Sequence, residues 1–181
     1  MAMLIGLTGR SRAGKNEAAD AFGLYGVKVA SFSDFIKQDL NVAIQRRLGI
    51  HLHDCTDEEK HRLRPIMEIW GMVSYIEILN ELMAKVDEWL KDPIVHLIVS
   101  PRVMQLPEVY AWKQRGAFLV EIVRPGVGPA TSFEEKNLEA IRPFLDATVL
   151  NDGTKGDLHR NMRKLLRSLR GNREAETPKE N

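Results

Sequence analysis

An apolar run, Leu4-Ile5-Gly6-Leu7-Thr8, passes directly into Gly9-Arg10-Ser11-Arg12-Ala13-Gly14-Lys15-Asn16, and a run of helix-forming residues follows. Strand, glycine-bracketed loop and helix in that order leave few architectures open. The spacing GxxxxGK is that of a phosphate-binding loop in a parallel α/β sheet. Gly9 and Gly14 permit backbone angles and close approaches that a Cβ would block. Successive N–H groups can then turn inward to form a concave anion site. Lys15 supplies a mobile point charge for the β- and γ-phosphates of a nucleotide. Where this pattern usually places Ser or Thr to ligate Mg²⁺, the chain has Asn16. The phosphate-contacting set is therefore Gly9, Arg10, Ser11, Arg12, Ala13, Gly14, Lys15 and Asn16, with Arg10 and Arg12 equally open to solvation.

Further β-rich runs at Val27–Phe32, Ile94–Val99, Ala117–Val123 and Ala147–Leu150 alternate with helical segments. This alternation predicts a parallel sheet covered by helices. Capping-box spacing marks helix starts at Thr56/Glu59 and Ser132/Glu135, and more weakly at Thr154/Asp157. From Ile66 through Trp70 to Leu90 the apolar residues recur on one helical stripe, with Pro65 expected to open or kink it. Residues 33–93 are too long and too helical for a simple crossover and are expected to form an insert. The polar, apolar-poor stretch 171–181 is expected to be a mobile tail, leaving 1–170 as the folded domain.

At 181 residues the chain suits one domain, and its 44% hydrophobic and 28% charged content are those of a soluble globular protein. Net charge is +1, which gives no overall field for nucleic acid or membrane. The lone cysteine, Cys55, excludes an internal disulfide. The N-terminal apolar run is too short for a signal peptide, and no run reaches membrane-spanning length, so a cytoplasmic location is expected. His51, His53, Cys55 and His61 match no closed zinc spacing. The basic last helix, with Arg160, Arg163, Lys164, Arg167 and Arg170, is expected to be a solvated face.

Taken together, the chain resembles the bacteriophage-type deoxynucleoside monophosphate kinases of the P-loop kinase superfamily. The resemblance rests on ordered blocks: Leu4–Phe22; Ser31-Phe32-Ser33-Asp34-Phe35-Ile36-Lys37; Arg64-Pro65-Ile66-Met67-Glu68-Ile69-Trp70-Gly71; Ile98-Val99-Ser100-Pro101-Arg102 on to Arg124-Pro125-Gly126; and Leu150-Asn151-Asp152-Gly153. It implies a three-layer fold with a five-stranded parallel sheet in the order 2-3-1-4-5, a helical substrate-binding insert and a short lid after the fourth strand. It implies ATP and Mg²⁺ as cofactors, with phosphoryl transfer to a deoxynucleoside monophosphate. Lys15, Arg102 and Arg124 would be catalytic cations. Asn151 and Gly153 would face the donor adenine. Asp34, Lys37, Arg64, Trp70 and Glu108 would serve the substrate, although the apolar stripe also suits Trp70 to a core. Asn16 and Ser100 would stand at the metal, where related enzymes carry acidic residues.

Two other readings stay open. Without acidic residues at 16 and 100, the chain could be a non-catalytic nucleotide-binding protein. Dephospho-coenzyme A kinases share the loop and an Asn-Asp-Gly-like segment, so a small-metabolite kinase is the other alternative. The expected partner is a small nucleotide, with no nucleic acid and no membrane. The accepted base and the oligomeric state, a homodimer included, are not legible.

Overall fold

The computed structural model describes residues 2–23 and 25–176. The chain divides into two compact units, one built from residues up to 29 and from 93 onward, the other from Ala30–Asp92.

The first unit holds β1 (Met3–Thr8), α1 (Lys15–Asp20), β2 (Val27–Val29), β3 (Leu97–Ser100), α5 (Leu106–Lys113), β4 (Phe118–Val123), α6 (Ser132–Ile141), β5 (Ala147–Leu150) and α7 (Lys155–Glu176). All five strands are parallel, in the order β2-β3-β1-β4-β5. This is the predicted P-loop kinase sheet. Every residue of β1 and β3 is buried, as expected for central strands covered on both faces. Met3, Ile5 and Leu7 alternate onto a core shared with Ala18 and Ala19 of α1 and Leu158, Met162 and Leu169 of α7. On the other face, a side chain at Gly6 would meet Val103 and Leu119. Parallel pairing puts the C-terminal ends of β1, β3, β4 and β5 along one edge, where ligands bind in open α/β sheets.

The elements depart from the sequence expectation in local ways. β2 stops at Val29, because Ser31 is the extended N-cap of α2 (Phe32–Leu48) and Phe32 is already helical. β3 begins only at Leu97; the Gly26 carbonyl accepts the His96 and Leu97 N–H groups, while Ile94 is exposed. The cap of α6 is one residue earlier than Ser132: Thr131 is extended and its side chain accepts the Glu134 N–H. The starts at Thr56/Glu59 and Thr154/Asp157 form as reciprocal side-chain and backbone bonds. α7 continues to Glu176, through the first part of the stretch expected to be a mobile tail; residues 177–181 lie outside the described residues.

The second unit is helical. It contains α2, α3 (Asp57–Val73) and α4 (Tyr75–Leu90). The single stripe expected over Ile66–Leu90 is broken at Ser74, which is at once the C-cap of α3 and the N-cap of α4. Its α4 half is buried through Ile78, Leu79, Leu82, Met83 and Val86, whereas Ile66, Ile69 and Val73 in α3 are exposed. Pro65 lies inside α3 and does not open it. Ile44, Ile50, Leu52, Cys55 and Leu63 form the core under the α2–α3 connection. Among the described residues no helix is long and apolar enough to cross a membrane.

Candidate functional site

The loop after β1 takes the shape its glycines require. Gly9 has φ +122° and a Cβ there would come within 2.3 Å of the Ile122 carbonyl oxygen; Gly14 has φ +99° and a Cβ would come within 2.5 Å of Asn151 Nδ2. Neither position accepts a side chain without strain. Arg12 is also left-handed, at φ +65°. The Ala13 N–H closes a turn onto the Arg10 carbonyl (3.1 Å), and the Ala18 N–H starts the helix on the Gly14 carbonyl (2.9 Å). α1 spans Lys15–Asp20, directly behind the left-handed Gly14.

Lys15 folds back over this loop. Its Nζ donates to the Gly9 carbonyl at 2.7 Å and to the Arg10 carbonyl at 2.8 Å. Burial lowers its pKa from 10.5 to about 8; the Glu134 carboxylate partly offsets this and the Arg102 guanidinium adds to it. The ammonium is thus partly out of water, with two carbonyls, the Glu134 carboxylate and the Arg102 guanidinium as its polar surroundings. A bound phosphate would stabilise the charged form and raise that pKa again.

Arg102 is exposed just past β3, within electrostatic reach of Lys15. Arg124 is exposed just past β4. It lines a cavity of about 290 Å³ together with Arg10, Val127 and Arg142. The loop and the segment after β4 are joined directly, since Arg10 Nη1 donates to the Val127 carbonyl at 2.8 Å. These residues all belong to the sheet unit, and its topology brings their strand ends to one edge.

Asn151 lies just past β5, against the loop. It is buried, its Nδ2 donates to the Ala13 carbonyl at 2.8 Å, and its own N–H donates to the Val123 carbonyl at 2.8 Å. The side chain is thus a brace under the loop. Gly153 is exposed beside Asp157 at the start of α7. Glu108 is likewise absorbed by the fold: Oε2 accepts the Met104 N–H at 2.5 Å and the Gln105 N–H at 3.3 Å, completing a capping box at α5.

In the helical unit, Asp34 and Lys37 pair at 3.3 Å and Arg64 pairs with Glu68 at 2.8 Å. Trp70 is not a core residue. It is 38% exposed, and its Nε1 donates to Asp39 Oδ2 at 2.9 Å, tying α3 to α2.

The donor set at the expected metal position does not build a resident Mg²⁺ site. Asn16 is exposed on the first turn of α1, and Ser100 is buried with its hydroxyl donating to the Arg102 carbonyl at 3.2 Å. Both offer neutral oxygens, whereas protein-held Mg²⁺ is usually anchored by at least one carboxylate. No group of three or more His, Cys, Asp or Glu residues suited to a metal occurs among the described residues.

Sequence reasoning missed Glu134. This buried carboxylate accepts from the Ser11 N–H and the Ser11 hydroxyl, both at 2.7 Å. Burial pushes its pKa up, but the Ala130 N–H, the Ser11 donors and the Lys15 ammonium outweigh that and hold it below the usual carboxylate range. The adjacent Ser132/Glu135 pair carried the same spacing signal one residue out of frame. Only the fold brings residue 134 to the loop.

No family model matches the chain, and no curated protein does. Solved structures do. The dephospho-CoA kinase from Campylobacter jejuni superposes with a TM-score of 0.52 at 13% identity, over 95% of this chain and 100% of that one. The shikimate kinase from Acinetobacter baumannii, described in complex with shikimate, gives 0.48 at 16% identity, over 95% of each chain. The tunicamycin resistance protein of Deinococcus radiodurans gives 0.49 at 15%, over 92% of this chain and 96% of that one. With its sheet order and its loop, the chain has the P-loop kinase fold.

Proposed function

We propose that the chain is an ATP-dependent phosphotransferase, and that its acceptor is a deoxynucleoside monophosphate converted to the diphosphate. The observation that carries the kinase reading is Lys15. Its ammonium is partly desolvated over a glycine-shaped loop, with its pKa lowered to about 8. Phosphoryl transfer requires positioning and charge neutralisation more than covalent chemistry from the protein. In this reading the loop N–H groups and Lys15 hold the donor's β- and γ-phosphates. Arg102 and Arg124 neutralise charge on the transferring group as an acceptor oxygen bonds to the γ-phosphorus and the β–γ bridging oxygen leaves with ADP. Asp34, Lys37, Arg64 and Trp70 are the acceptor-side residues, with Arg64 suited to a bidentate grip on phosphate once it exchanges Glu68 for it. Mg²⁺ enters with the nucleotide, as part of the substrate.

The nucleotide acceptor is supported by the ordered blocks around Asp34–Lys37, Arg64–Trp70 and Arg124–Gly126. A small-metabolite kinase is the second reading, favoured by the likeness to the Campylobacter jejuni dephospho-CoA kinase. A third, a non-catalytic nucleotide binder, is favoured by the absence of a carboxylate at Asn16 and Ser100. One coupled ADP-release assay separates them, run over all deoxynucleoside monophosphates and dephospho-coenzyme A with ATP and Mg²⁺. Turnover with a deoxynucleotide is expected. Turnover with dephospho-coenzyme A alone moves the assignment to the second reading. ATP binding without any turnover leaves the third.

A further inference from the structure

Glu134 is a buried carboxylate that the proposed chemistry does not use. Its Oε1 takes both donors of Ser11, and its Oε2 accepts the Ala130 N–H at 2.7 Å. Its own N–H is fixed on Thr131 Oγ1 at 3.1 Å, so the cap of α6 sets where the side chain starts. One residue thus ties together the phosphate loop, the closing end of the segment 124–131 and the first turn of α6. A second tie, Arg10 to the Val127 carbonyl, joins the same loop to the same segment.

The need for such a tie follows from the loop's composition. Gly9 and Gly14 give the loop access to many backbone states, and a donor array is useful only in one of them. Asn151 braces the loop at Ala13, and Glu134 holds it at Ser11. A buried carboxylate is stable only while its hydrogen-bond donors stay in place, so Glu134 penalises any loop state that carries Ser11 away.

We propose that Glu134 is a positioning residue that locks the phosphate loop and the Arg124-bearing segment into one arrangement before any nucleotide arrives. The consequence for nucleotide binding rests on the kinase reading. The lock itself does not.

Amide hydrogen exchange on the ligand-free chain tests the lock. In Glu134→Ala, the Ser11 and Ala130 amides should exchange at least tenfold faster, with those of Val99 and Ile122 in the sheet unchanged. Glu134→Gln keeps an oxygen for Ser11 but turns an NH₂ group toward the Ala130 N–H. It should restore protection at Ser11 and not at Ala130, a split that general loss of stability does not produce. ATP titrated into Glu134→Ala should bind at least fivefold more weakly, and in turnover the donor KM should rise while the acceptor KM holds. Should the Ala variant not fold, the Gln variant carries the test, with Ala130 exchanging faster while Ser11 stays protected, and equal exchange at both amides counts against the lock. Unchanged exchange at Ser11 and Ala130, or acceleration spread evenly over the chain, would overturn the proposal. If the exchange pattern appears but no form binds ATP, the lock stands and the kinase reading falls.

Discussion

The phosphate-loop edge of the sheet unit and the candidate residues of the helical unit are built on different principles. Around the loop, Lys15, Ser11, Asn151 and Glu134 are each held by residues distant in sequence or by backbone carbonyls, and Asn151 and Glu134 are buried. In the helical unit, Lys37 and Arg64 are paired with neighbours three or four residues away on the same helix. Such pairs contribute little, about 0–1 kcal/mol when exposed, and break easily. The contrast separates a loop fixed by long-range bonds from side chains paired only with near neighbours. Donor binding is therefore expected to depend on architecture, and acceptor binding on interchangeable surface charges.

The sharpest way to break that contrast is Lys15→Ala. Loss of this cation should lower turnover by about 10³-fold, the scale for removing a preorganised electrostatic contact from a reacting centre. ADP release would show it, and near-normal turnover would remove Lys15 from the site. Arg102→Ala and Arg124→Ala come next, each lowering kcat by about 10²-fold with a smaller change in donor KM. Effects confined to KM would make them binding groups only. Gly14→Ala sets a side chain at φ +99° against Asn151 and should cost about 1–3 kcal/mol in denaturant unfolding.

The lowered Lys15 pKa predicts a pH signature. Below about pH 8 the free side chain is already protonated, so binding phosphate moves no proton through it. Above that value the free group has lost its proton, and a bound phosphate, by raising the pKa, draws one back. ATP affinity should be flat up to about pH 8 and fall beyond it, with proton uptake seen calorimetrically in buffers of different ionisation enthalpy. The smallest effect belongs to the other region. Arg64→Ala should change stability by less than about 1 kcal/mol and leave donor affinity unchanged, while acceptor KM rises. A change in donor affinity would erase the distinction between the two regions.

What was legible beforehand follows the same division. The strand runs and the loop could be read because glycine spacing and apolar runs reflect short-range geometry, whereas the sheet order came only with the family resemblance. Trp70 and Ile66 could not be placed, because periodicity reports that a stripe is apolar and not whether anything covers it. Ser74 divides that stripe without a proline or glycine of its own to mark the break, and the neighbouring Gly71 lies within α3. The bonds made by Asn151, Glu108 and Glu134 were not legible for a common reason. Each polar side chain is consumed by a backbone group whose position depends on the tertiary fold or on a cap, and a motif lists residue types without their partners.

The proposed function depends above all on nucleotide phosphate being held by the loop through Lys15. Calorimetric titration of ATP into the wild-type chain and Lys15→Ala at pH 7.5 tests it most directly. Saturable one-to-one binding to the wild type is expected, with at least a tenfold loss of affinity in the variant. Equal affinity for both, or no binding to the wild type, would contradict it.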